Sequence, residues 1–153
     1  MSPKEAYEYA KKYGPSNETR EIACEDPEFA YEYAKNVDKC PKEDTRKAAC
    51  KNPYWALEYA KDIDKYPREN TRKAVCKSIY YAYNYAYDYA LEVDKKPRDD
   101  TRKAACKDPE NAYLYAKDID KDFHENTWKT VKNTEFEKEY NKFLNQIEKN
   151  KII

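Results

Sequence analysis

The chain has 153 residues, 40% of them hydrophobic and 39% charged, with 30 Lys and Arg balanced by 30 Asp and Glu. That zero balance argues against a protein built to grip phosphate backbones, which carries a positive excess, and against a nucleic-acid mimic, which carries a negative one. One glycine against 17 tyrosines suits rigid helices with large aromatic contacts, not flexible linkers or phosphate-cradling loops.

The first predicted helix opens at Ser2-Pro3, where Ser2 and Glu5 have capping-box spacing. The same start recurs at Asp26-Pro27, Asn52-Pro53 and Asp108-Pro109, each time a side-chain acceptor followed by a proline whose missing N–H costs nothing at a helix start. Along the helix after Asp26, residues Phe29, Ala30, Tyr33, Ala34 and Val37 form one broad apolar stripe that should face the core. Pro41, Pro67 and Pro97 then stop the first helices and are expected to begin the second ones. On the second helices, Thr45, Ala48 and Ala49 make a narrow face of small side chains suited to wedging between neighbouring first helices, with Arg46, Lys47 and Lys51 toward solvent.

Thr45, Thr71, Thr101 and Thr127 each open nearly the same phrase, at separations of 26, 30 and 26 residues. A unit of that size cannot bury its own apolar face, so each copy must use its neighbour as core. The expected fold is all-α: a short right-handed α-solenoid of about five two-helix repeats in a single domain over 1–153. The repeats are 2–25, 26–51, 52–77, 78–107 and 108–133. A capping helix is expected over 134–150, carrying Phe136, Tyr140, Phe143, Leu144 and Ile147. No apolar run nears the ~20 residues that span a bilayer, and the opening Met1-Ser2-Pro3 lacks a signal-peptide stretch, so a cytoplasmic protein is expected.

The segments Thr45-Arg46-Lys47-Ala48-Ala49-Cys50-Lys51-Asn52-Pro53 and Thr101 to Pro109 resemble the helix-joining step of leucine-rich-variant and HEAT-like solenoids. The steps Ala30-Tyr31-Glu32-Tyr33-Ala34 and Ala112 to Ala116 are similar to short Tyr-Ala repeats of phage and bacterial proteins. The resemblance covers about residues 2 to 133. It implies a bacterial host cell and a scaffold that binds macromolecules, with a phage or mobile-element inhibitor of a host or defence protein as its specific form.

The third full repeat is longer by about one helical turn and tyrosine-rich. Tyr81, Tyr85 and Tyr89 share a line expected to pack. Tyr80, Tyr83 and Tyr87 stand nearer the polar side and, with Tyr31 and Tyr113, are candidate partner anchors, since tyrosine brings a rigid ring and a polar tip at low entropic cost.

Two ladders share the repeat spacing, Asp38, Asp64, Asp94 and Asp120 on the first helices and Arg20, Arg46, Arg72 and Arg102 on the second. They are expected to cap or pair across neighbouring repeats, with Arg46, Arg72 and Arg102 as candidate partner contacts. Cys24, Cys50, Cys76 and Cys106 also keep the repeat spacing and are expected to be reduced, buried packing residues. Without a Cys-x-x-Cys pair or histidines beside them, neither a metal nor another cofactor is expected. His124, the one histidine, reads as a surface turn residue, and catalysis has little support. The expected function is a non-enzymatic protein-interaction scaffold. The alternative is a single-stranded nucleic-acid binder that stacks tyrosines and contacts phosphates through Arg and Lys.

Overall fold

A computed structural model describes residues 1–77 and 82–151, with the side chain of Ala82 left out. The chain is all-α and 76% helical, with no strand among the described residues. It divides into two compact units, Met1–Ser78 and Ile79–Ile153.

In the N-terminal unit, α1 (Pro3–Tyr13) and α2 (Asn17–Ala23) form the first pair. They are followed by α3 (Pro27–Tyr33) with α4 (Glu43–Ala49), and α5 (Pro53–Tyr59) with α6 (Glu69–Lys77). The expected caps form: Ser2 and Glu5 close a capping box, Asp26 accepts from the N–H of Glu28, and Asn52 from those of Tyr54 and Trp55. A second capping box, Ser16 with Thr19, starts α2.

The core lies between helix pairs. Tyr7 and Ala10 of α1, Ala23 of α2 and Tyr33 of α3 make one cluster, against which Phe29 and Val37 pack. One repeat on, Tyr31 and Ala34, Ala49 of α4 and Tyr59 of α5 make the next. Helices α2 and α4 thus each wedge between two first helices, and their small residues Ala23 and Ala49 have no exposed surface, as the pattern of small side chains predicts.

The C-terminal unit repeats the scheme with α7 (Ala82–Asp88), α8 (Asp99–Ala105), α9 (Pro109–Tyr115), α10 (Glu125–Val131) and α11 (Glu137–Lys151). Ala90, Ala105 of α8 and Tyr115 of α9 form one cluster, and Ala112, Ala116, Val131 of α10 and Tyr140 of α11 the other. Helix α11 therefore covers the last pair, as expected of a cap, with Phe136, Phe143 and Leu144 around the fully buried Tyr140. It begins at Glu137, three residues past the expected start, because Asn133 takes a left-handed conformation (φ 64°) and its N–H bonds Glu137.

Two local features depart from expectation. The first helices after α1 do not run regularly to their ends: α3, α5, α7 and α9 each pass into a wider π-helical turn, Ala34–Asp38, Ala60–Asp64, Tyr89–Asp94 and Ala116–Asp120. Every such turn ends on a lysine in the left-handed region, Lys39, Lys65, Lys95 and Lys121, with φ between 52° and 59°. The N–H groups of Lys65, Lys95 and Lys121 reach back to the carbonyls of Ala60, Ala90 and Ala116 at 3.0, 2.9 and 2.7 Å.

Second, the second helices start two residues beyond Pro41, Pro67 and Pro97, at Glu43, Glu69 and Asp99. Lys42 and Arg98 precede two of these helices in extended backbone without a side-chain cap of their own. Their N–H groups are instead taken by the hydroxyls of Tyr59 and Tyr115, at 3.1 and 3.0 Å, from the following repeat. The start is therefore fixed by where the neighbouring tyrosine reaches and not by the proline.

Candidate functional site

The junction between repeats is a four-residue assembly. Thr45 of α4 and Tyr59 of α5, both without exposed surface, share a hydrogen bond of 2.9 Å. The same pair recurs as Thr19 with Tyr33, Thr101 with Tyr115 and Thr127 with Tyr140, each at 2.8 Å. Burial raises the pKa of the Tyr59, Tyr115 and Tyr140 hydroxyls, so these remain neutral donor-acceptors.

The arginine next to each threonine lies over the tyrosine ring, Arg20 on Tyr33 at 5.7 Å, Arg46 on Tyr59 and Arg102 on Tyr115 at 5.6 Å. Each guanidinium also forks onto the aspartate that ends the next π turn. Arg46 donates through Nε (3.0 Å) and NH2 (2.6 Å) to Asp64, and Arg102 through Nε (3.0 Å) and NH2 (2.7 Å) to Asp120. Arg20 engages Asp38 in the same way. The remaining arms of Arg46 and Arg102 go to Glu43 and Asp99.

Arg20, Arg46 and Arg102 therefore pair with Asp38, Asp64 and Asp120 of the following repeat, as the spacing suggested. Their orientation does not follow the sequence reading: Arg46 and Arg102, expected toward solvent, are each 6% exposed and fully engaged internally. Trp128 stands where the arginine would be in the last pair and keeps the ring contact, 5.6 Å from Tyr140. Arg72 is half-buried and also has a partner.

The candidate anchor tyrosines separate in the structure. Tyr31, expected at the surface, is 4% exposed: its ring lies against Trp55 (5.2 Å) and its hydroxyl donates to Asp62 (2.5 Å), which Lys35 also contacts at 2.7 Å. Tyr87 does the same one unit on, half-buried against Ala90, Tyr115 and Ile119, with its hydroxyl donating to Asp118 at 2.8 Å. Burial and the adjacent carboxylate push the Tyr31 hydroxyl up to about 12 and raise that of Tyr87 as well. Tyr113 is half-buried and stacks on Phe136 at 6.4 Å. Tyr83 and Tyr85 are half-buried and Tyr89 fully buried. Tyr80 and Tyr81 lie outside the described residues.

Two surface pockets were not foreseen from sequence. One, of about 360 Å³, lies in the N-terminal unit between the first two π turns and is lined by Ala34, Lys35, Lys39, Cys40, Pro41, Asp62, Ile63 and Lys65. The other, of about 330 Å³, lies in the C-terminal unit and uses the equivalent positions 56 residues on, among them Ala90, Lys95, Pro97, Asp118, Ile119 and Lys121. Their one carboxylate is in each case the one held by Tyr31 or Tyr87.

Cys24, Cys50, Cys76 and Cys106 are half-buried free thiols, less enclosed than expected, while Cys40 is exposed. Burial pushes the Cys24, Cys50 and Cys106 thiols up to about 11. His124 is more than a turn residue: it is the N-cap of α10, its Nδ1 accepting from the N–H of Asn126 at 3.2 Å. No group of His, Cys, Asp and Glu fit to hold a metal ion occurs among the described residues, and none of the helices there is long and apolar enough to cross a membrane. No family model, curated protein or solved structure matches this chain.

Proposed function

We propose that this chain is a non-enzymatic protein-interaction scaffold, a right-handed stack of five two-helix repeats closed by a C-terminal helix. The observation that carries the reading is the internal use of the polar ladder. Thr, Tyr, Arg and Asp satisfy one another across repeats at the junctions of Thr19, Thr45 and Thr101, so the repeated residues build the frame and the outer positions are free to vary with the partner. The same four residue types recur in sequence at Thr71, Arg72, Tyr89 and Asp94, in keeping with one continuous domain.

Single-stranded nucleic acid is the weaker reading. Its phosphate contacts are expected from Arg and Lys, but of the candidate arginines Arg46 and Arg102 spend their charges on Asp64 and Asp120, and the chain carries no net positive charge. The resemblance to Tyr-Ala repeats favours a phage or mobile-element inhibitor acting on a host or defence protein in the bacterial cytoplasm. The test is capture from bacterial lysate on the immobilised full chain, with and without nuclease. A retained protein that resists nuclease supports the scaffold. Recovery of no protein, or retention abolished by nuclease, overturns it.

A further inference from the structure

The two pockets are one site built twice. Every position lining the first lines the second 56 residues on, although the residues differ. Leu91 replaces Lys35, which removes a charge, and Lys96 replaces Cys40, which restores it, so both pockets hold three lysines against one aspartate. The substitution of lining residues preserves a local excess of +2 in a chain whose total is zero.

The lysines are not committed elsewhere. Lys35 pairs with Asp62, but Lys39, Lys65, Lys95, Lys96 and Lys121 are exposed and have no carboxylate partner among the described residues. Lys39, Lys65, Lys95 and Lys121 also occupy backbone that glycine would hold without strain and that asparagine tolerates, at the position where helices most often end on glycine. A non-glycine residue repeatedly held in this region points to a use for its side chain.

We propose that each pocket seats a short acidic peptide segment of a protein partner, a carboxylate between the left-handed lysines and an aliphatic side chain against the apolar lining. The apolar lining is Ala34, Pro41 and Ile63 in one pocket and Ala90, Leu91, Pro97 and Ile119 in the other. Asp62 and Asp118, fixed by Tyr31 and Tyr87, repel a second carboxylate beside them, which directs the acid to the lysines. The lining contains no arginine to fork onto phosphate and no ring on which a base could stack, so the chemistry fits a carboxylate-bearing peptide better than a nucleic-acid strand. This deepens the scaffold reading and rests on it.

The probe is a fluorescent peptide of alternating Glu and Val, followed by anisotropy against the full chain, with labelled oligothymidylate as the second ligand. The peptide binds and weakens as salt rises. Replacing Lys39, Lys65, Lys95 and Lys121 together by Gly, or by Asn, weakens it by about tenfold or more without lowering the melting temperature, and replacement by Arg restores it. Cys40, the exposed thiol at the N-terminal pocket, reports occupancy directly: bound peptide slows its alkylation, and Lys39→Gly with Lys65→Gly removes that protection.

Binding of oligothymidylate in place of the peptide, no peptide binding, or binding indifferent to the Gly variants overturns the proposal. A lysate protein captured equally well by wild type and by the fourfold Gly variant overturns it too, while leaving the scaffold reading in place. Absence of any captured protein overturns the scaffold reading itself.

Discussion

Removing the Arg46 guanidinium would leave the Asp64 carboxylate, which has no side-chain exposure, without its ion-pair partner. Breaking a buried pair on one side is far more damaging than replacing both members, since the orphaned charge keeps its desolvation penalty. Arg46→Ala should therefore cost about 3–5 kcal/mol, while Arg46→Met combined with Asp64→Leu should recover most of it. Urea unfolding followed by circular dichroism reads both, and a single variant costing no more than an exposed ion pair would show that the pair is not buried in solution. That the Asp and Arg ladders pair was legible from their common spacing, but the burial of the arginine was not, because charge in a sequence suggests solvent. What hides Arg46 is the Tyr59 ring beneath it, and that contact joins residues too far apart for a helical pattern to connect. Tyr31 misleads for a related reason. Helix α3 is covered by repeats on both sides, so Tyr31 and Tyr33 are both buried although they point to different neighbours.

Helix starts were the most readable elements and their ends the least. Asp26, Asn52 and Asp108 announce α3, α5 and α9 because a local side chain does the capping. Helices α4 and α8 lack such a signal, and their starts were displaced in the sequence reading because Tyr59 and Tyr115 supply the acceptor from the next repeat. A contrast follows between two neighbouring positions. Asn52→Ala removes the acceptor for two N–H groups and should cost about 1 kcal/mol. Lys42→Ala, at an equivalent N-cap position, should change stability by less than about 0.5 kcal/mol, since only its backbone N–H is used. Equal losses at the two sites in urea titrations would show that Tyr59 does not cap α4. The π turns left no trace in the reading, because alanine, lysine and aspartate are all compatible with an ordinary helix. The turn forms where the last residue of the segment, Asp38 or Asp64, must reach the arginine of the preceding repeat.

At the scale of the whole chain, the use of each neighbour as core was legible from the repeat length alone, and within both units the clusters bear it out by joining three successive helices. The pockets were not legible, since each draws its walls from two repeats and becomes visible only once the π turns are placed side by side. The cap tests how far this dependence on neighbours extends. Tyr140 of α11 shares a hydrogen bond with Thr127 and accepts from the N–H of His124, so α11 supplies to α10 what α3, α5 and α9 supply to the helices before them. It also covers Ala112, Ala116 and Val131, all without exposed surface. Ending the chain at residue 134 removes that cover at once, and the buried tyrosine alone is worth about 3–5 kcal/mol by analogy with large-to-small aromatic changes. A loss of that size is a large fraction of the stability of a domain this small. The truncated chain should melt earlier and exchange the amide hydrogens of α10 first, with those of α1 to α4 protected for longest. Hydrogen exchange read by mass spectrometry gives the order, and uniform loss of protection along the chain would mean that the helix pairs do not stabilise one another stepwise.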